Sequence, residues 1–309
     1  MKLKAVHFEN VSKDFKTDFW KKKVSALCEI NFSVEPGTIF GLVGPNGAGK
    51  TTAIKIMMGL IRPTKGNVTI FGNSVEGRAV KRDIGYLPEN AYYYDYLRTE
   101  EVIDFYGRFF GLSRNERNKK TDELLEQVGL FDKKGLRLRQ FSKGMLQRIG
   151  IAQAIVNDPK FVIFDEPMSG LDPIGRKEVR DIILRLGDQG KTILFSSHIL
   201  TDVEALCDYV GIIIKGKLKA CGPIGELIQP RVKNTEVIFH GKEAVLFPQK
   251  FEKKATFRSS GAQWIVDVVD PDILEQVINW GKSEKLQLVA MIPHKETLED
   301  LFMKQVEES

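Results

Sequence analysis

What the chain has little of narrows it first. There are three cysteines, Cys28, Cys207 and Cys221, and no two of them form a CxxC pair. That leaves a disulfide framework unsupported; a reducing compartment is the simplest reading, with the thiols serving as small apolar residues. No apolar run approaches the roughly 18 residues of a membrane-spanning helix, so work at a membrane would need a partner to supply the span. The amino terminus, MKLKAVHFEN, carries no apolar h-region, and no secretory signal is expected. There is no internal repeat and no low-complexity tract. The net charge of +5 is small for 309 residues. It suits a nucleotide or an anionic surface and gives little support to nucleic acid as the partner. A hydrophobic content of 42% against 28% charged residues is that of an ordinary globular chain with enough apolar side chains for a core. One large domain or two smaller ones are expected.

The stretch Gly44-Pro45-Asn46-Gly47-Ala48-Gly49-Lys50-Thr51-Thr52 organises the rest. It fits G-x-x-x-x-G-K-[ST]. The glycines let the backbone wrap a phosphate without Cβ clashes, so that N–H groups of the loop converge on one anion. Lys50 is placed to reach the β- and γ-phosphates, and the Thr51 hydroxyl to bind Mg²⁺. The motif has this meaning only between a strand and a helix. Thr38 to Val43 is a short apolar run suited to a buried strand. Lys50 to Leu60, with Ile54, Ile56, Met57 and Leu60, is expected to be a buried helix whose N-terminal dipole faces the phosphates.

Strands are expected over Leu3 to Phe8 and Ile30 to Val34. Between them Phe15, Phe19 and Trp20 could stack on a flat base or line an exposed loop. Pro63 is expected to end the helix after the loop. Ile84 to Leu87 reads as a strand stopped by Pro88, with Glu89 next. Aromatic residues crowd Tyr92 to Phe110, either as core or as a docking surface for a partner's helix. Helices are expected from about Thr99, over Thr121 to Val128, over Lys143 to Val156 behind the N-cap Ser142, and over Glu178 to Leu186. Phe161 to Phe164 is a buried-strand run that delivers Asp165 and Glu166. Thr192 to Phe195 delivers Ser196, Ser197 and His198, and Val210 to Ile214 is a further strand. Strands alternating with helices predict an α/β fold with a largely parallel sheet. Ligands in such sheets lie beyond the carboxyl ends of the strands, where Lys50, Glu89, Glu166 and His198 all fall.

Gly222 to Asn234, with Pro223, Gly225 and Pro230, reads as a linker. Beyond it, strands near Glu236 to Phe239, Trp264 to Val269 and Gln287 to Ile292, and helices over Asp272 to Trp280 and Glu296 to Val306, make a small α+β domain of about 80 residues. The terminal helix puts Leu298, Leu301, Phe302 and Val306 on one face. No chemical motif stands out in this part.

A phosphate loop alone fits many activities; a second cluster separates them. Phe141-Ser142-Lys143-Gly144-Met145-Leu146-Gln147-Arg148 precedes Phe161-Val162-Ile163-Phe164-Asp165-Glu166-Pro167, followed by Ser169-Gly170-Leu171-Asp172-Pro173 and Ser196-Ser197-His198. In this order and spacing the chain resembles the ATP-binding subunit of ATP-binding-cassette (ABC) transporters over about residues 3 to 220. It looks most like the separate ATPase subunits of bacterial exporters. The resemblance implies a P-loop NTPase cassette over 1–222, with a mixed-sheet core, an antiparallel β subdomain and a helical signature subdomain at about 90–158. A small accessory domain over 223–309 would follow. It implies ATP hydrolysis with Mg²⁺, and two cassettes, two copies or one copy and a related chain, pairing head to tail around two nucleotides. It also implies a multi-span permease partner that holds the subunit on the cytoplasmic face of the membrane, and no direct nucleic-acid contact.

For single residues the resemblance implies the following. Asn46, Gly47, Ala48, Gly49, Lys50, Thr51 and Thr52 hold the phosphates. Ser142 and the backbone of Gly144 reach the γ-phosphate of the other subunit. Asp165 holds Mg²⁺ with Thr51, Glu166 is the general base and His198 fixes the attacking water. Asp172 belongs to the loop along the dimer interface. Glu89 lies near metal and water and responds to the membrane partner. Phe15 stacks on adenine, with Phe19 and Trp20 as rivals. Two positions depart from the family pattern: Glu89 stands where glutamine is usual, and Lys143 and Met145 stand where glycine and glutamine are. Lys143 would face the triphosphate or point to solvent. A non-transport ABC ATPase acting on DNA or ribosomes is the alternative, although Lys50 and Ser142 lie too close for a long coiled-coil insertion. A nucleotide-binding regulator without turnover is disfavoured by the intact Lys50, Asp165, Glu166 and His198 set.

Overall fold

A computed structural model describes residues 3–16, 23–77, 80–228, 232–241, 245–251 and 254–307. In chain order it begins with an antiparallel pair, β1 (Val6–Lys16) and β2 (Lys23–Val34), then β3 (Ile39–Val43), α1 (Lys50–Met57), β4 (Lys65–Ile70) and β5 (Asn73–Ser74). Next come β6 (Ile84–Leu87), α2 (Thr99–Phe109), α3 (Arg114–Gln127), α4 (Lys143–Ala154) and β7 (Phe161–Phe164). The chain continues through α5 (Pro173–Asp188), β8 (Thr192–Ser197), α6 (Leu200–Leu206), β9 (Tyr209–Ile214), β10 (Lys217–Pro223) and α7 (Ile224–Leu227). The last part holds β11 (Val232–His240), β12 (Ala255–Ser260), β13 (Gln263–Val268), α8 (Leu274–Ser283), β14 (Gln287–Lys295) and α9 (Leu298–Glu307).

The chain divides into two compact units. The first runs to Leu227 and includes the segment from Phe302; the second is Ile228–Leu301. In the first, a sheet ordered β10-β9-β3-β8-β7-β6 is parallel except for β10, and a separate antiparallel sheet is ordered β2-β1-β4-β5. β3, β7 and β8 are buried along their whole length. That is why they read as unbroken apolar runs: a parallel strand covered on both faces has no polar side.

The helix after the phosphate loop is held between the two sheets. Ala53, Ile54, Ile56 and Met57 share one core with Phe8 and Phe32 of the antiparallel sheet and with Phe40, Leu42, Phe161, Ile163 and Leu194 of the parallel one. Phe8, Phe32 and Phe40 stack in series, with centroids 4.5 and 5.4 Å apart. Burying each such ring contributes about 1.5–3 kcal/mol to the seam that fixes α1.

Several expected boundaries move. α1 stops at Met57, not at Leu60 before Pro63, and Leu60 is exposed. The chain turns at Gly59 (φ 62), a left-handed residue that closes the helix before proline is reached. α3 starts at Arg114 rather than Thr121, because Ser113 and Glu116 form a reciprocal capping box. α5 starts at Pro173 rather than Glu178, capped by Asp172, whose Oδ1 accepts the Gly175 N–H at 2.8 Å. Gly222 and Pro223, expected in a linker, end the edge strand β10.

The second unit is a four-stranded antiparallel sheet, β12-β13-β11-β14, with α8 against it. Val237, Phe239, Trp264, Val266, Val268, Val277 and Trp280 form its core. β12, with the sequence ATFRSS, was not expected; only Ala255 in it is buried. In α9, Leu298 is buried, whereas Val306, expected on the same face, is exposed.

Candidate functional site

The carboxyl ends of β3, β7 and β8 open onto a cleft of about 390 Å³ lined by residues 45–52, Ala26, Glu89, Glu166, Ser169 and His198. Gly49 begins α1 at φ 110, and a Cβ there would fall 2.6 Å from the Ala26 carbonyl oxygen, so only glycine fits. As the N-cap residue it offers no side-chain oxygen. The first N–H groups of α1 therefore carry no side-chain cap and point, with the helix dipole, toward the loop.

Lys50 is buried, and its ammonium donates to the Gly44 carbonyl at 2.6 Å. It also lies 3.2 Å from Glu166 Oε1. The other Glu166 oxygen is 2.8 Å from His198 Nδ1. A carboxylate can only accept, so the ring nitrogen facing it, Nδ1, is the donor. Glu166 has φ 51, a left-handed backbone that costs a non-glycine residue about 1 kcal/mol or more. The strain turns the chain sharply at the end of β7 and brings the carboxylate back over the loop.

Asp165, one residue earlier, is fully buried. Burial pushes its carboxyl above the usual range; hydrogen bonds from Ser196 and Thr51 pull it back, and the charges of Glu89 and Glu166 push it up again. Burial, and then the charges of Asp165 and Glu89, push the Tyr86 phenol up to about 12. Negative charge therefore gathers beside Thr51, and a cation there would relieve it. The donors are hard oxygens, which suits Mg²⁺. Among the described residues no group of three or more His, Cys, Asp or Glu side chains forms a metal cage. Mg²⁺ ordinarily needs none, taking one or two carboxylates and completing its shell from phosphate and water.

Other expected residues lie apart from the cleft. Ser142 caps α4, accepting the Met145 N–H at 3.3 Å, and Gly144 packs against Gly175 at the start of α5. Neither lines the cleft of its own chain. Lys143 runs across Gly170, where any Cβ would collide with its ammonium, so it faces the Ser169–Asp172 loop. Phe15 pairs with Val24 in the β1–β2 hairpin, is 41% exposed and does not line the cleft; Lys13 Nζ sits 5.1 Å from its ring centre. Phe19 and Trp20 lie outside the described residues. Sequence reasoning missed Ala26, Ser169 and the part played by Ser196. Ser169 opens the stretch Ser169–Pro173, but no contact with the cleft was expected of it; nothing in the sequence marks Ala26.

Residues 27–169 match the ABC transporter family profile. An ABC transporter ATP-binding protein of Synechocystis sp. is 42% identical over 96% of this chain and 83% of its own length. The chain belongs to the ABC transporter ATP-binding proteins. It is an ABC ATPase, and it binds ATP. The bacitracin transport ATP-binding protein BcrA of Bacillus licheniformis is 40% identical over 72% of this chain and 74% of its own. A dimeric ATP-binding cassette solved in a post-hydrolysis state with ADP and Pi has the same fold, with a TM-score of 0.64 at 24% identity. The likeness covers 71% of this chain and 98% of that one. ABC cassettes dimerise and act with transmembrane components, and no helix among the described residues of this one is long and apolar enough to cross a membrane.

Proposed function

We propose that this chain is the energising subunit of an exporter, working as a homodimer or with a related cassette. The two cassettes close head to tail on two ATP molecules, each held by the loop of one subunit and by Ser142 and Gly144 of the other. The observation that carries this reading is the split site. The loop, Glu166 and His198 share a cleft, while the N-terminus of α4, suited to an anion, lies outside it. A second copy would supply what one chain keeps apart. Bacitracin transport by a relative favours export as the direction.

Asn46, Gly47, Ala48, Gly49 and Thr52 cradle the phosphates with their backbone, and Lys50 and Thr51 with their side chains. Asp165, Thr51 and Glu89 would hold Mg²⁺, which would neutralise phosphate charge when bound. Glu166 takes the proton of the attacking water, and His198 orients that water and meets the γ-phosphate. Phe15 is proposed to stack on adenine. Charge-assisted contacts of this kind are worth about 1.5–3 kcal/mol each, enough together to close an otherwise open dimer. Loss of the γ-phosphate removes the bridge, and reopening moves the membrane partner.

The partner is a multi-span permease that holds the subunit on the cytoplasmic face. Its docking helix meets the aromatic patch of Tyr92, Tyr94, Tyr96, Phe105, Phe109 and Phe110, all exposed. Tyr92, Tyr94 and Tyr96 touch in series, as do Phe105 and Phe109, and solvent-facing rings of this kind suit an apolar helix better than water. Residues from about 223 form an accessory domain. Sizing the full chain as Glu166→Gln, with MgATP and with MgADP, tests the central point. A dimer with MgATP alone is expected; a monomer in both would reject the shared site.

A further inference from the structure

We propose that Ser196 is a positioning residue for ATP hydrolysis, tying the metal-side carboxylate to the general base through one buried hydroxyl. The proposal rests on the functional reading above.

Ser196 lies in β8, one residue beyond the last registered pair between β7 and β8, Phe164 with Phe195. It is fully buried. Its Oγ accepts the backbone N–H of Glu166 at 2.9 Å and donates to Asp165 Oδ1 at 2.6 Å. The direction of both bonds is fixed. The hydroxyl has one proton, an amide can only donate, and an ionised carboxylate can only accept.

Each bond has a consequence for the site. The bond from Glu166 N–H anchors the peptide just before a residue held at φ 51, the turn that carries the Glu166 carboxylate back to Lys50 and His198. Without an acceptor that N–H would be buried and unpaired, and the strained turn would lose the contact that orients it. The bond to Oδ1 fixes the rotation of the Asp165 carboxylate beside Thr51. A carboxylate held in this way presents a fixed lone pair to a cation, as outer-shell partners of metal ligands do. A serine needed only for packing would not join two adjacent reaction residues through the same oxygen.

The test uses the full chain as native protein, Ser196→Ala and Ser196→Thr. ATP affinity is measured by calorimetry in EDTA and again in Mg²⁺, alongside turnover and Tm. Ser196→Ala is expected to bind ATP in EDTA within about twofold of native. The gain in affinity on adding Mg²⁺ should fall several-fold, and turnover tenfold or more. Ser196→Thr keeps the hydroxyl and should recover most of both; if its extra methyl lowers Tm, the alanine variant decides alone. Turnover and Mg²⁺ gain both within twofold of native in Ser196→Ala would overturn the proposal, whatever happens to Tm. So would a loss of affinity equal in EDTA and Mg²⁺, which is what a loosened fold would give. Failure of the functional reading looks different: the native chain itself would then neither bind nor hydrolyse MgATP.

Discussion

Lys50 Nζ lies 3.2 Å from Glu166 Oε1, with both side chains more than nine-tenths buried. The cation that should meet the phosphates is thus held by the carboxylate that should take the water's proton. A triphosphate entering the cleft competes with Glu166 for Lys50. On the reading proposed above, binding would draw the cation away and leave the Glu166 carboxylate for water.

Glu166→Gln removes that competitor. The variant should bind ATP at least as tightly as the native chain, with turnover down by about 10²–10⁴-fold, the usual worth of a general base. Calorimetry and a phosphate-release assay measure the two effects separately. Near-normal hydrolysis would reject Glu166 as base.

Lys50→Ala should weaken ATP binding and also destabilise the protein without ligand, because among the described residues it leaves the buried Glu166 carboxylate with His198 as its remaining ion-pair partner. Removing one partner of a buried pair costs about 3–5 kcal/mol. Adding Glu166→Gln to Lys50→Ala should return part of that stability, and denaturant unfolding of the four proteins in the cycle gives the coupling. Strict additivity would mean that the two charges do not interact.

In the helical region Asp104 Oδ1 accepts from Arg117 Nε at 2.5 Å, and Arg108 bonds Oδ2. Burial pushes the Asp104 carboxyl up, but hydrogen bonds and charge from Arg117 and Arg108 together hold it below the ordinary value. A depressed folded-state value stabilises the protein above the unfolded value of about 3.9, and the benefit disappears as pH falls through the folded value. Asp104→Asn should thus cost about 1 kcal/mol at pH 7 and nothing at strongly acid pH. A gap independent of pH would exclude the ion pair as its source.

Phe109 is 72% exposed within the aromatic patch. Phe109→Asp should leave folding and the ATPase activity of the isolated chain near native, since surface changes are typically within about 0.5 kcal/mol. Co-purification with the membrane subunit should be lost. Retention at native levels would move the docking surface elsewhere.

The parallel strands were legible because burial on both faces leaves an unbroken apolar run, as in Phe161–Phe164. The loop and the Asp165-Glu166 pair were legible because their chemistry demands fixed residue types at fixed spacing. Helix starts were less so. Ser113 with Glu116, and Asp172 with Pro173, are capping signals, but α3 has only Thr121, Leu124 and Leu125 buried and shows little apolar rhythm. The grip of Glu166 on Lys50 had no signature in the sequence. It depends on which strands end side by side, and on a left-handed turn at a residue that is not glycine.

β8 is inserted between β3 and β7, so the loop and Glu166 grow from strands that are not neighbours. At about 4.8 Å per strand, their roots stand roughly 10 Å apart. That gap is wide enough to admit a phosphate group and narrow enough for a lysine and a glutamate to span it from opposite banks. The order of three strands thus gauges the slot, and a topology with β3 directly beside β7 would have shut it.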